Sequence, residues 1–330
     1  MTPVRPLWNN ARIPTAAPLA DRIGGGAPVQ PEPATFTDSP SAMQTEAEAT
    51  VYLNGEWMPL SSARIPVLDR GFIFGDGVYE VIPVYAGRPF RAAQHLARLA
   101  RSLEQLRIPN PHDDTQWMAL IARLAEANAM PDQMIYIQVT RGVAKRTHAF
   151  PKEPTQPTVF MMSNPMALPP AAATERGVAC ITMEDRRWLY CQIKSTSLLG
   201  NVLAAQAAAD HGVTEAIQLR DGMLTEASAS NVWVVKRGAV VAPPKDNKIL
   251  EGIRYGLIEE LGAMLDIPVT SRPVSRDELF AADEVLLSSA SKEILPVVTI
   301  DGQTIGTGEP GPVFKRLYAA YQTAKLAAPA

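Results

Sequence analysis

The segment Asn164-Pro165-Met166-Ala167-Leu168-Pro169-Pro170 constrains the chain more than any other. Its prolines fix φ and remove backbone donors, so no regular element is expected to run far through it. Periodic strand and helix patterns lie on both sides. A chain of 330 residues also exceeds a usual domain of about 100–200. Two domains follow, a smaller one over 49–165 and a larger one over 171–330, joined by a linker at 166–170. The fold class is α+β.

Residues 1–48 read differently. They carry Pro3, Pro6, Pro14, Pro18, Pro28, Pro31, Pro33, Pro40 and the run Gly24-Gly25-Gly26, without apolar periodicity. Such a composition buries too little surface to offset the entropy of ordering, so a disordered tail is expected. It lacks the apolar centre of a secretory signal. Met43 is an alternative start, in which case the tail is never made.

From Val51 the pattern is regular. Val51 to Met58 predicts a hairpin turning at Asn54-Gly55, and Val78 to Phe90 a second turning near Gly87. Leu96, Leu99, Leu103 and Leu106 recur at helical spacing. A second helix is expected over Thr115 to Ala127, ended by Pro131. Strands are expected at Met134 to Arg141, Thr158 to Met162, Gly177 to Met183, Glu215 to Arg220, Asn231 to Lys236, Val285 to Ser288 and Ile294 to Ile300. Helices are expected at Asn201 to Asp210 and Ile253 to Leu265. Ser275 with Glu278 makes a capping-box pattern.

The formal charge of -3 offers no basic stripe for a phosphate backbone, so nucleic acid is not an expected partner. No apolar run approaches the ~20 residues of a membrane span. Cys180 and Cys191 are the only cysteines. With no CxxC spacing they give no expectation of a disulfide framework or a zinc site, and they fit a reducing cytoplasm. His95, His112, His148 and His211 show no metal-ligand spacing.

Four places can carry chemistry. Lys194 follows Gln192-Ile193 in a largely uncharged segment. At the end of a buried strand its amine would be suited to attack a carbonyl, though most lysines are surface residues with buried stems. Glu226 sits among small residues, Thr225-Glu226-Ala227-Ser228-Ala229-Ser230. A carboxylate so placed can meet a flat ring and keep a pyridine nitrogen protonated, or the segment is an ordinary turn. Glu251-Gly252-Ile253 opens a helix, and Ser288-Ser289-Ala290-Ser291 follows a strand; both are anion sites in kind, and both are also common caps and loops. Arg141 to His148 places three cations and a histidine in one loop, suited either to a carboxylate or to solvent. Gly75-Asp76-Gly77 lacks the third glycine of a dinucleotide fingerprint and reads as a turn.

Taken in order, these blocks resemble the fold-type IV pyridoxal-phosphate (PLP) enzymes, and among them the bacterial D-amino-acid aminotransferases. The likeness runs from Val51 to the C-terminal helix. It is densest at Asp69 to Glu80, Val139-Thr140-Arg141-Gly142, Arg146-Thr147-His148, Ile193-Lys194-Ser195, Thr225-Glu226, Ser230-Asn231, Ile249 to Ile253 and Ser288-Ser289. The resemblance implies a cofactor held between the two domains as a Schiff base on Lys194, which also moves the substrate proton. By the same resemblance Glu226 pairs with the ring nitrogen, and Leu250 packs on the ring. Arg98, Ile253, Ser289 and Ala290 hold the phosphate. Tyr79, Arg146 and His148 trap the substrate carboxylate. The arginine and histidine of that trap come from the other subunit in this family, which implies a homodimer.

Branched-chain L-aminotransferases and aminodeoxychorismate lyases look similar around Lys194 and Glu226 without the Arg-x-His loop. That loop therefore points to D-amino acids and 2-oxo acids as substrates. A PLP-binding regulatory or carrier protein is the non-enzymatic alternative. Three departures stand out: Arg254 where many relatives have threonine after Gly-Ile, Ala229 for a serine, and Ala290 for a threonine.

Overall fold

The computed structural model describes residues 48–327. The tail expected over 1–48, Met43 included, lies outside them apart from Glu48.

The first half is a six-stranded sheet with two helices on it. Strands β1 (Thr50–Leu53) and β2 (Glu56–Pro59) form the expected hairpin. A one-turn helix α1 (Arg70–Phe74) leads into β3 (Gly77–Tyr85), which pairs with β4 (Arg88–Pro89). Helix α2 (Ala92–Leu106) carries the leucine stripe, and α3 (Asp114–Asn128) starts at a capping box of Asp113 with Gln116. Its end is set by Ala129, in the left-handed region at φ 48°, before Pro131 is reached. Strands β5 (Gln133–Thr140) and β6 (Thr158–Pro165) complete the order β2-β1-β6-β5-β3-β4. Leu96, Leu99 and Leu103 are buried against Ile82, Val84, Ile135 and Ile137. Asn164 and Pro165 belong to β6 rather than to the connector, since the strand pairs with β5 to its last residue.

After a short helix α4 (Ala171–Glu175), the second half builds a nine-stranded sheet. Strand β7 (Val178–Glu184) is followed by helix α5 (Leu199–Asp210). Strands β8 (Glu215–Arg220), β9 (Met223–Ala227), β10 (Asn231–Lys236) and β11 (Ala239–Ala242) come next. Helix α6 (Ile253–Met264), β12 (Val269–Ser271), α7 (Arg276–Phe280), β13 (Glu284–Ser289), β14 (Glu293–Ile300), β15 (Gln303–Thr304) and α8 (Pro312–Ala327) finish it. The order is β12-β11-β10-β13-β14-β7-β8-β9, with β15 on β14.

Strand β9 is an edge and β10 lies near the opposite edge, yet residues 228–230 alone join them. The sheet must therefore curl until the two approach. Buried Glu215 pins that short join, accepting from the Ser228 hydroxyl at 2.9 Å, the Ala229 N–H at 2.7 Å and the Ser230 hydroxyl. One face of the sheet packs Trp233 and Leu286 on Tyr255, Ile258, Leu261, Phe314 and Leu317 of α6 and α8. The other buries Val232, Val234, Val285 and Leu287 with Leu279 of α7.

Sequence pattern missed α1, α4, β9, β11, β12 and β15. The consequence matters at β9, because Thr225 and Glu226 lie in a strand and not in a Ser/Ala turn. Asp221-Gly222 turns β8 into β9.

Candidate functional site

A cavity of about 860 Å³ opens where the loop around Lys194, the β9–β10 join and the start of α6 meet. That size falls within the ordinary range of cofactor and substrate sites. Tyr79, Arg98, Lys194, Glu226, Leu250, Ile253, Ser289 and Ala290 all line it. Arg146 and His148 do not.

Lys194 is half-buried and sits in a loop, a correction to its expected place at a strand end. The loop is laid along β3 like an added strand. Its Lys194 carbonyl accepts from the Tyr79 N–H at 2.9 Å, and the Thr196 N–H donates to the Gly77 carbonyl at 3.0 Å. The Lys194 N–H meets the Ser102 hydroxyl of α2 at 3.3 Å. Gly75 allows this closeness. It is left-handed at φ 65°, and a β-carbon there would stand 2.6 Å from the Ser197 hydroxyl oxygen. The Lys194 amine rests 4.1 Å from the centre of the Tyr79 ring.

Glu226 projects from β9 into the same cavity. Its Oε2 accepts from the Leu250 N–H at 2.8 Å, and its Oε1 is ion-paired with Arg187. Burial raises its pKa to about 7, although the Arg187 guanidinium and the Leu250 N–H pull it down. Such a carboxyl is under-compensated and suited to one more positive partner. Arg187 is fixed behind it by Asp185, at 2.9 and 2.8 Å. Asn231 orders the neighbouring loop, donating to the Leu250 carbonyl at 2.8 Å and accepting from the Gly252 N–H at 3.2 Å.

The far end of the cavity is a cup suited to an anion. Helix α6 begins at Gly252 with no side-chain cap, which leaves its first-turn N–H groups for a ligand. Arg98 reaches the same point, donating to the Glu251 carbonyl at 2.9 Å. It also forks onto Glu80 at 2.7 and 2.8 Å. Burial alone would raise the Glu80 pKa, but Arg98 and His95 hold it well below the usual carboxylate range. Burial pushes His95 down to about 4, so its ring is neutral at neutral pH, with Nδ1 2.8 Å from Glu80. The Ser289 hydroxyl already accepts from the Lys292 N–H at 3.1 Å and keeps its proton to donate.

Arg146 and His148 are exposed on the loop after β5. They flank Phe74, a cavity residue, with the Arg146 guanidinium carbon 5.4 Å and the His148 ring 5.5 Å from its ring centre. The loop is held by Arg70, which donates to the Thr147 carbonyl at 2.7 Å and pairs with Asp76 at 2.7 Å. Arg141 forks onto the same Asp76 at 2.8 and 2.9 Å.

Sequence reasoning missed Arg187, Glu80 and His95. Asp185-Arg186-Arg187 looks like any charged turn, and only its place just upstream of Lys194 could have drawn notice. Among the described residues no cluster of His, Cys, Asp or Glu could hold a metal ion, and no helix is long and apolar enough to cross a membrane.

The family described as amino-transferase class IV matches residues 77–300. The chain is 38% identical to a D-alanine aminotransferase of Staphylococcus aureus strain MSSA476, over 82% of this chain and 96% of that one. It is 39% identical to a D-alanine aminotransferase of Bacillus licheniformis, over 84% and 97%. Its fold superposes on a T.th. branched-chain amino acid aminotransferase with pyridoxamine 5'-phosphate, with a TM-score of 0.79 and 26% identity, over 86% and 96%.

Proposed function

The chain belongs to the amino-transferase class IV family, and from that premise we propose that it is a D-amino-acid transaminase using pyridoxal 5'-phosphate. D-Alanine and 2-oxoglutarate give pyruvate and D-glutamate in two half-reactions. One observation carries the reading: a lysine amine, a buried glutamate raised by burial and an anion cup share one cavity. The cofactor fits each of them, its aldehyde the amine, its ring nitrogen the carboxylate and its phosphate the head of α6. The pyridoxamine phosphate named with the T.th. branched-chain structure supports the same cofactor.

When bound, the cofactor supplies a carbonyl for amine exchange and a ring that withdraws electrons. The residues do the rest. Lys194 would hold the carbonyl carbon and, once the substrate amine has displaced it, would move the proton at the substrate Cα. Glu226, fixed by Arg187 and the Leu250 N–H, keeps the ring nitrogen protonated. Leu250 covers the ring, and Arg98, Ile253, Ser289 and Ala290 hold the phosphate.

The D-specific assignment follows from the carboxylate trap of Tyr79, Arg146 and His148, and the two D-alanine aminotransferase relatives support it. Arg146 and His148 stand outside their own cavity, so we place them at the site of a second copy in a homodimer. Phe72, Leu199 and Val202 are 70%, 72% and 57% exposed, and they support such a contact. Two free buried cysteines suit a cytoplasmic protein.

Mixing purified protein with D-alanine, and separately with L-leucine, tests the assignment through the cofactor's absorbance. D-Alanine should convert it to the pyridoxamine form. Conversion by L-leucine alone would make the protein a branched-chain L-aminotransferase, and conversion by neither a binding protein without turnover.

A further inference from the structure

We propose that Arg254 is a phosphate-binding residue, the counter-charge of the anionic end of the ligand at the head of α6. The inference rests on the cofactor reading above and assigns a role to a residue that reading leaves idle.

Arg254 is the second residue of the twelve-residue helix α6 and lines the cavity wall. It is 1% exposed. Its Nε donates to the Tyr321 hydroxyl at 3.0 Å, and its guanidinium lies against the rings of Phe90 and Tyr321 at 5.0 and 5.8 Å. Both terminal nitrogens are buried without a hydrogen-bond partner among the described residues. The other buried arginines among the described residues all have a carboxylate: Arg70 and Arg141 share Asp76, Arg98 has Glu80, and Arg187 has Asp185 and Glu226. A buried guanidinium with open donors and no counter-ion is among the costliest arrangements a fold can hold.

Nearby carboxylates are already engaged. Glu80 is shared by Arg98 and His95, and Glu293 by Lys325 and Gln322. A positive charge is also what the cup lacks. Arg98 is neutralised by Glu80, whose side chain is fully buried, and His95 carries no charge at neutral pH. Without Arg254 the cup would present dipoles and hydroxyls but little net charge to a phosphate of about two negative charges. With it, the ligand satisfies the arginine and the arginine fixes the ligand.

The test uses the full-length protein with cofactor and the same protein after cofactor removal. Dissociation constants are measured for pyridoxal phosphate, for pyridoxal, which lacks the phosphate, and for inorganic phosphate. In R254M, affinity for pyridoxal phosphate and for inorganic phosphate should fall roughly 10- to 100-fold, while affinity for pyridoxal is unchanged. R254K should recover part of the loss. Inorganic phosphate should raise the Tm of the cofactor-free wild type more than that of R254M.

Equal losses for pyridoxal and pyridoxal phosphate, or no loss for either, would overturn the proposal and leave Arg254 a packing residue. If R254M does not fold, R254K decides by the same ratio of pyridoxal phosphate to pyridoxal. A wild-type protein that binds no pyridoxal phosphate would instead refute the cofactor reading itself.

Discussion

Arg187 and Glu226 form a buried ion pair at the cavity wall, with the second Glu226 oxygen on the Leu250 N–H at 2.8 Å. The pair does not neutralise the glutamate fully, since burial still raises it to about 7. A protonated ring nitrogen would complete the charge balance. E226Q should therefore keep the cofactor but lower kcat with D-alanine about 100-fold or more, because an amide does not hold that proton in place. Wild-type kcat in E226Q would remove Glu226 from the chemistry.

The same shift makes stability depend on pH. A folded-state pKa of about 7 exceeds the ordinary 4.5, so the folded chain without cofactor keeps a proton that the unfolded chain releases. The stabilising contribution is complete below about pH 4.5 and is lost as pH rises through about 7. Between about pH 5 and 8, the Tm of the cofactor-free protein should fall more steeply in the wild type than in E226Q. Parallel profiles would show that Glu226 does not titrate in this window.

Lys194 presents its amine beside the Tyr79 ring, 4.1 Å from its centre. Borohydride treatment should fix cofactor covalently to the peptide containing residue 194 in the wild type and leave K194M unlabelled. Transamination by K194M should be lost, since both the proposed covalent hold and the proposed proton carrier are removed. Label on the same peptide in K194M would contradict the assignment.

R146A removes one fork of the proposed carboxylate clamp. Binding of D-alanine should weaken by about 1.5–3 kcal/mol, read as a raised KM, while the cofactor stays bound. An unchanged KM would show that the loop serves something else.

Asp76 joins Arg70 to Arg141, and Arg70 in turn holds the Thr147 and His148 carbonyls at 2.7 and 3.4 Å. Burial alone would raise the Asp76 pKa, but the two guanidinium groups bring it below the ordinary value. D76N leaves two buried cations under-compensated and should cost about 3–5 kcal/mol of stability in urea unfolding. It should also raise KM for D-alanine, because the loop proposed to clamp the carboxylate loses its anchor. A stability loss with KM unchanged would make the cluster purely structural.

Local patterns revealed a large part of this protein. The leucine stripe of α2, the hairpin at Asn54-Gly55 and the Ser275–Glu278 cap depend on neighbours a few residues away, and each formed as read. The chemical groups, Lys194 and Glu226 among them, were legible as a series of short blocks. What only the tertiary structure decided was pairing across long separations. Arg187 meets Glu226 across 39 residues and Arg98 reaches Glu251 across 153. β9 was hidden because a buried strand carrying Thr225 and Glu226 has no apolar alternation to show. Arg254 shows in the sequence only as an arginine where many relatives have threonine, and the fold alone buries it with both terminal nitrogens unpartnered among the described residues. Burial, which turns an arginine without a partner into a demand for an anion, belongs to the packed chain and has no signature in the order of its residues.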